Sequence, residues 1–141
     1  MAIENLGLEI RILSNLIYHK ANQVSMQAEN LSIHQCWILQ YLKENTGKEI
    51  HQKDIEQLFS IKRSTANQML RGLETRGLIC REVSPDDARR NVISITDTGL
   101  KTYGRLAEDL YQIMIQLYEG IPSEELKQFQ KTLRKLWSNI K

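Results

Sequence analysis

The feature that most constrains this chain is a change of hydrophobic period at Gly77. Upstream, apolar residues recur at intervals of three and four, as on one side of a helix: Ile55 and Leu58 between Gln52 and Phe59, then Ala66, Met69, Leu70 and Leu73 from about Arg63 to Arg76. Downstream the interval falls to two. Leu78, Cys80 and Glu82 alternate with Ile79, Arg81 and Val83, and after the polar stretch Ser84 to Asn91 comes the β-branched run Val92-Ile93-Ser94-Ile95. A pattern that serves one helix face cannot serve a pleated strand, so two helices must give way here to a β hairpin with a polar, charged tip. Gly77 is placed to close the second helix, and the break Ser60-Ile61-Lys62 has the length of a helix-turn-helix connection.

Helical patterns flank this module. Ile3, Leu6, Ile10, Leu13 and Ile17 predict a long amphipathic helix to about Gln27. At the next helix Ser32 caps, Gln35 completes a capping box, and Leu31 with Cys36 forms a hydrophobic staple. That helix carries Trp37, Ile38, Tyr41 and Leu42 inward and stops near Asn45-Thr46-Gly47. Thr96 and Asp97 are cap candidates for a helix from about Thr98 to Tyr118, with Leu106, Leu110, Ile113, Met114 and Leu117 on its apolar side. Gly120-Ile121-Pro122 breaks it, and Ser123 caps a last helix bearing Leu126, Phe129, Leu133, Leu136, Trp137 and Ile140. The expected fold class is mainly α with a small β hairpin (α+β): one domain over 1–141, with a winged helix-turn-helix at about 32–99 and further helices at 1–28 and 98–141. Those outer helices have apolar stripes that the winged module does not need for its own core, which predicts their burial across a two-fold axis in a homodimer.

At 141 residues and 41% hydrophobic content the chain can bury one substantial core. No apolar run approaches the ~18 residues of a membrane span, and Met1 to Leu8 lacks a signal-peptide layout, so a cytoplasmic protein is expected, with no membrane partner. Cys36 and Cys80 lack Cys-x-x-Cys spacing, and their inward or strand positions favour packing over redox sensing. His19, His34 and His51 have no metal-ligand spacing. No nucleophile motif, Gly-rich phosphate loop or paired carboxylates appear, so neither an enzyme, a catalytic residue, a metal nor a cofactor is expected. Charge is uneven: residues 62–105 hold nine Lys/Arg against five acids, while the whole chain carries only +2. A basic middle suits docking on phosphates.

The run Arg63-Ser64-Thr65-Ala66-Asn67-Gln68-Met69-Leu70-Arg71-Gly72-Leu73-Glu74-Thr75-Arg76-Gly77-Leu78-Ile79, followed by Pro85-Asp86-Asp87-Ala88-Arg89-Arg90 and Ile95-Thr96-Asp97-Thr98-Gly99, closely resembles the MarR family of bacterial transcription regulators. The resemblance extends over the whole chain. It implies a homodimer built from the first helix and the last two, bound to double-stranded DNA with each recognition helix in a major groove and each wing in a minor groove. It further implies repression at a pseudo-palindromic operator, released by a small aromatic or other amphipathic effector.

On the recognition helix, Ser64, Thr65, Asn67, Gln68 and Arg71 are candidates for the solvent side. Asn and Gln suit adenine and Arg suits guanine, so Asn67, Gln68 and Arg63 are the candidates for base readout, with Ser64 and Thr65 on phosphate or base. Lys62 and Arg63 lie at the helix N-terminus, where each cation costs about 0.3–1 kcal/mol unless a phosphate is near. Relatives carry a capping residue at the place of Lys62 and a small hydroxyl at that of His51, so Ser60 or Ser64 is a substitute cap. In the wing, Asp87 is spaced to hold Arg89, which matches the family's minor-groove arginine, and Arg90 is assigned to backbone phosphate. Tyr18, Trp37, Tyr41 and Tyr111 are candidates to line an effector pocket, with core packing as the competing reading. A winged helix that binds protein instead of DNA is the alternative function; a neutral recognition helix and an acidic wing would favour it, whereas here the helix is basic and the wing tip carries Arg89 and Arg90.

Overall fold

In the computed structural model, which describes residues 5–141, α1 (Leu6–Glu29), α2 (Ile33–Glu44), α3 (Gln52–Phe59) and α4 (Arg63–Thr75) precede the hairpin β1 (Ile79–Val83) and β2 (Asn91–Ile95). Helices α5 (Asp97–Tyr118) and α6 (Ser123–Ile140) follow. Ile3 lies outside the described residues. Six helices and a two-stranded antiparallel sheet make the expected α+β winged helix. No helix among the described residues is long and apolar enough to cross a membrane. The chain forms two units, Met1–Leu110 and Tyr111–Lys141.

In the first unit the core is centred on α2. Ile33, Cys36, Ile38 and Leu39 are fully buried, as are Ile55 of α3 and Ala66, Leu70 and Leu73 of α4. Burying each large aliphatic side chain is worth about 1.5–3 kcal/mol, against about 0–1 for an exposed ion pair, so packing holds these helices. The Ser32–Gln35 capping box is present in both directions at 3.1 Å, and Leu31 and Cys36, the staple residues, are both sealed from water. Leu39 belongs to the centre although the sequence pattern passes over it, while Trp37, Tyr41 and Met69 are only half-buried. Leu58 is 49% exposed: α3 has just eight residues, and Ile55 and Phe59, four apart, take its inward side.

Helix α4 ends in a Schellman motif. Gly77, at φ +72°, donates to the Glu74 carbonyl (2.9 Å) and Leu78 donates to that of Leu73 (3.0 Å). The strands then pair from Ile79↔Ile95 to Val83↔Asn91. A short bridge between His51 and Val92, with Ile93 donating to the Ile50 carbonyl at 2.7 Å, ties β2 to the start of α3. At the wing's exit Thr96 donates its hydroxyl to the Gly77 carbonyl (2.6 Å) and accepts from the Gly99 amide (3.0 Å), capping α5. Gly99 lies so close that a Cβ there would strike the Leu78 carbonyl and the Ile95 side chain.

The C-terminus of α1 is closed by cations from distant segments. Arg76 donates to the carbonyls of Glu29 (2.8 Å) and Asn30 (3.0 Å), and Arg105 Nε donates to the Glu29 carboxylate (2.6 Å). The Arg105 hydrogen bond, aided by the charges of Arg105 and Arg76, holds the Glu29 carboxyl below its ordinary value.

In the second unit Gly120, at φ +77°, turns the chain between α5 and α6. Ser123 is the first helical residue, not the cap. Pro122 occupies the cap position, its ring holding φ at −60°, and contributes no side-chain bond. No residue of α6 is buried; Phe129 (53%), Trp137 (51%) and Ile140 (90%) stand exposed.

Gly99→Ala should destabilise the protein by about 1–3 kcal/mol in urea unfolding, because neither backbone at the contact has room to move. Gly104→Ala, on the same helix with open space at its Cα, should be neutral or stabilising. A second expectation concerns acid. Since Glu29 has a folded-state pKa below its unfolded one, its contribution is present above the unfolded carboxylate pKa of about 4.3 and is lost as pH falls through the folded value. Glu29→Gln should therefore be less stable than wild type at neutral pH, with the difference in urea midpoint closing in strong acid.

Candidate nucleic-acid interface

Helix α4 is held by one face and presents the other. With Ala66, Leu70 and Leu73 at zero exposure, helical geometry turns Ser64, Thr65, Gln68 and Arg71 to solvent, while Arg63, on the same stripe as Ala66, is exposed because it is the first residue of the helix. Lys62, also exposed, is the N-cap itself and supplies no side-chain bond. Neither Ser60 nor Ser64 replaces it: Ser60 ends α3 in the left-handed region at φ 54°, and Ser64 lies inside α4. The uncapped first turn and two neighbouring cations therefore form a positive helix end. At the start of α3 the Asp54 amide, which a capping hydroxyl would accept from, donates to the His51 carbonyl (3.0 Å), and the His51 N–H donates back to the Asp54 carboxylate (2.8 Å).

Asn67 stands apart from the other candidates. It is half-buried, its Oδ1 accepts from Arg81 Nη1 at 3.1 Å, and its carbonyl accepts from Nη2 at 3.4 Å. The Arg81 side chain, 13% exposed, also donates to Gln52 Oε1 (3.2 Å), while its Nε lies 3.6 Å from a Glu74 carboxylate oxygen. Gln52 in turn donates to the carbonyl of Arg63, the first residue of α4 (3.3 Å). Sequence reading counted Arg81 with the basic surface and missed this role. The signal was its period of two, which places Arg81 on the same strand face as the buried Ile79. Arg76 and Arg105, at the α1 terminus, are likewise engaged internally. The exposed basic groups on the helix and wing that reach no other element are thus Lys62, Arg63 and Arg71 on α4 and Arg89 and Arg90 at the wing tip.

The neck of the wing, where the strands give way to the loop, is pinned and the tip beyond it is open. Buried Ser84 donates its amide to the Arg90 carbonyl (2.8 Å) and its hydroxyl to Glu49 (2.8 Å), and His51 Nδ1 lies 3.2 Å from the Asn91 carbonyl. Asp87 Oδ1 accepts from the Arg89 backbone N–H (2.9 Å) and from its Nε (3.3 Å). The backbone bond first, then the side chain of Arg89 and the charge of Arg90, hold the Asp87 carboxyl below its ordinary value. The Arg89 side chain remains 91% exposed.

Of the four aromatic candidates, Tyr18 and Trp37 meet around His34, with ring centroids 5.1 and 5.5 Å from it and Phe59 at 6.0 Å. Desolvation in this cluster lowers the His34 pKa. Tyr41 is half-buried elsewhere on α2, and Tyr111, in the second unit, is 59% exposed. Burial pushes the Cys36 thiol up to about 11, leaving almost no thiolate at neutral pH. Cys80 Sγ lies 3.0 Å from Ser94 Oγ across the hairpin.

Comparison with known proteins agrees with this geometry. A family model described as MarR family matches residues 29–90, which span α2 to the wing tip and include every candidate residue on α4 and the wing. The HTH-type transcriptional regulator YwaE of Bacillus subtilis (strain 168) is 24% identical over 153 residues, 99% of this chain and 85% of that one. Among solved structures, the S. aureus MepR–DNA complex superposes with a TM-score of 0.83 at 26% identity, covering 96% of this chain and 98% of that chain. The transcription regulator MarR from Oenococcus oeni PSU-1 does so at 0.76 and 29%, covering 94% and 98%. With the MarR-family match lying on the winged module at residues 29–90 and the structural likeness running over nearly the whole chain, the protein carries a winged helix like that of the MarR family and is similar throughout to transcription regulators of that kind.

Proposed function

We propose that this protein is a sequence-specific DNA-binding regulator that occupies a pseudo-palindromic operator as a homodimer, represses from it, and is released by a small-molecule effector in the cytoplasm. The observation that carries the DNA reading is the division of α4 into a sealed apolar face and a fully exposed polar face headed by Lys62 and Arg63. Ser64, Thr65, Gln68 and Arg71 reach base edges and phosphates from that face, and Arg89, restrained by Asp87, enters the minor groove while Arg90 meets backbone phosphate. That MepR, similar over nearly the whole chain, forms a complex with DNA supports DNA as the partner here. Half-sites about one helical turn apart, ~10 bp, fit a two-fold symmetric protein.

The dimer reading draws support from apolar residues that one chain leaves in water. Leu8 (57%), Ile12 (49%) and Leu16 (63%) on α1, with Phe129, Trp137 and Ile140 on α6, are more than a monomer ordinarily exposes. For the effector, the Tyr18–His34–Trp37 cluster offers aromatic rings that suit a small aromatic ligand.

Titration of DNA from upstream of the protein's own gene, against salt and random competitor, tests the reading. Wild type should show tight, salt-sensitive binding with a clear preference over competitor. Arg89→Ala should weaken it by about 1–3 kcal/mol, and Arg90→Ala should flatten the salt slope by about one unit per protomer. Recovery of a protein partner with no DNA preference on any fragment would favour the protein-binding alternative. In sedimentation, wild type should run as a dimer, and Trp137→Glu should shift it toward monomer; a wild-type monomer at micromolar concentration would overturn the two-fold model.

A further inference from the structure

We propose that Arg81, from inside the winged module, determines what Asn67 can read on DNA, making it a donor-only contact that selects guanine where an unrestrained asparagine would select adenine. The inference rests on the DNA-binding reading above and assigns one residue's specificity within it.

A guanidinium has five N–H donors and no acceptor, so the Asn67 atom facing Arg81 Nη1 at 3.1 Å must be the amide oxygen. The same logic orients Gln52, whose oxygen faces Arg81 and whose nitrogen donates to the Arg63 carbonyl. Turning the Asn67 amide over would set N–H against N–H. It would also remove an acceptor from a nearly buried cation whose Nε already lacks a hydrogen bond, Glu74 being 3.6 Å away. Charge-assisted bonds of this kind are the stronger class, so the orientation is locked.

Because the Arg81 side chain is only 13% exposed, the Asn67 carbonyl points into the module. Its Nδ2 has no hydrogen-bond partner among the described residues and is not sealed from water. Asparagine reads adenine by accepting from N6 and donating to N7 with both amide atoms on one edge. An inward-facing oxygen removes the accepting half. What remains, an N–H2 group, complements the two neighbouring acceptors of guanine, N7 and O6.

The test is a base-by-base scan of the selected operator with wild type, Asn67→Asp and Arg81→Met. Asn67→Asp keeps an acceptor for Arg81 and has no donor, so the base pair whose preference it abolishes is the Asn67 position. Wild type should prefer guanine there, and Arg81→Met should shift the guanine-to-adenine ratio toward adenine by about fivefold or more, leaving other positions unchanged. A merely structural role for Arg81 would weaken all positions together and would overturn the proposal. So would adenine at the Asn67 position in wild type, a result that stands even if Arg81→Met does not fold. A clear operator whose profile Asn67→Asp leaves intact defeats this inference alone; absence of any preferred sequence for wild type defeats the DNA reading beneath it.

Discussion

The burial of one stripe on α4 is the constraint on which the rest of the module depends. Ala66, Leu70 and Leu73 have no exposure at all, and α4 packs against α2, α3 and β1. Sliding or rolling the helix would expose large aliphatic groups at about 1.5–3 kcal/mol each, so its polar face has a fixed heading. The Schellman turn at Gly77 and the hydroxyl of Thr96 then set where the chain leaves α4 and how the hairpin returns beside it. The presentation of Ser64, Gln68 and Arg71 is thus a consequence of packing on the opposite side, and the polar residues themselves need contribute nothing to stability.

Features closed by near neighbours were legible in the sequence. The Ser32–Gln35 box, the Gly77 stop and the Thr96–Gly99 start are each satisfied within three residues or by a backbone group at the same junction, so residue type and spacing suffice to see them. What was not legible involves partners remote in sequence. Arg81 meets Gln52 and Asn67 across 29 and 14 residues, and His51 bridges to Val92. Nothing local marks such a partner, although strand alternation does mark Arg81 as inward. Leu58 and Ser123 were misjudged for a smaller reason: on a short helix or at its first turn, a displacement of one residue exchanges inside for outside.

The uneven charge has two physical meanings that a count along the chain merges. Arg76 and Arg105 neutralise the carbonyl end of α1 and the Glu29 carboxylate, and Arg81 is a structural node; together they knit α1, α4, β1 and α5 within the first unit. Lys62, Arg63 and Arg71 instead remain in water on α4. Two of them sit at an uncapped helix start, where they oppose the macrodipole. Such an arrangement is unfavourable to the isolated fold and becomes favourable when an anion arrives.

The wing follows the same division between anchored neck and free end. Its neck is tied by Ser84 to Glu49 and by His51 to the β2 strand, so the hairpin cannot swing independently of the segment that opens α3. At the tip, the contact between Asp87 and a 91% exposed Arg89 side chain is too weak to stabilise the fold, since exposed ion pairs contribute about 0–1 kcal/mol. Its effect is on the ensemble: the backbone bond from Arg89 N–H shapes the turn, and the side-chain bond limits the conformations the guanidinium explores. A contact that weak is readily exchanged for one with an external anion, and a side chain already narrowed in conformation loses less entropy in the exchange. Pinned at its neck and loosely restrained at its tip, the wing holds one cation in water with its conformations already narrowed.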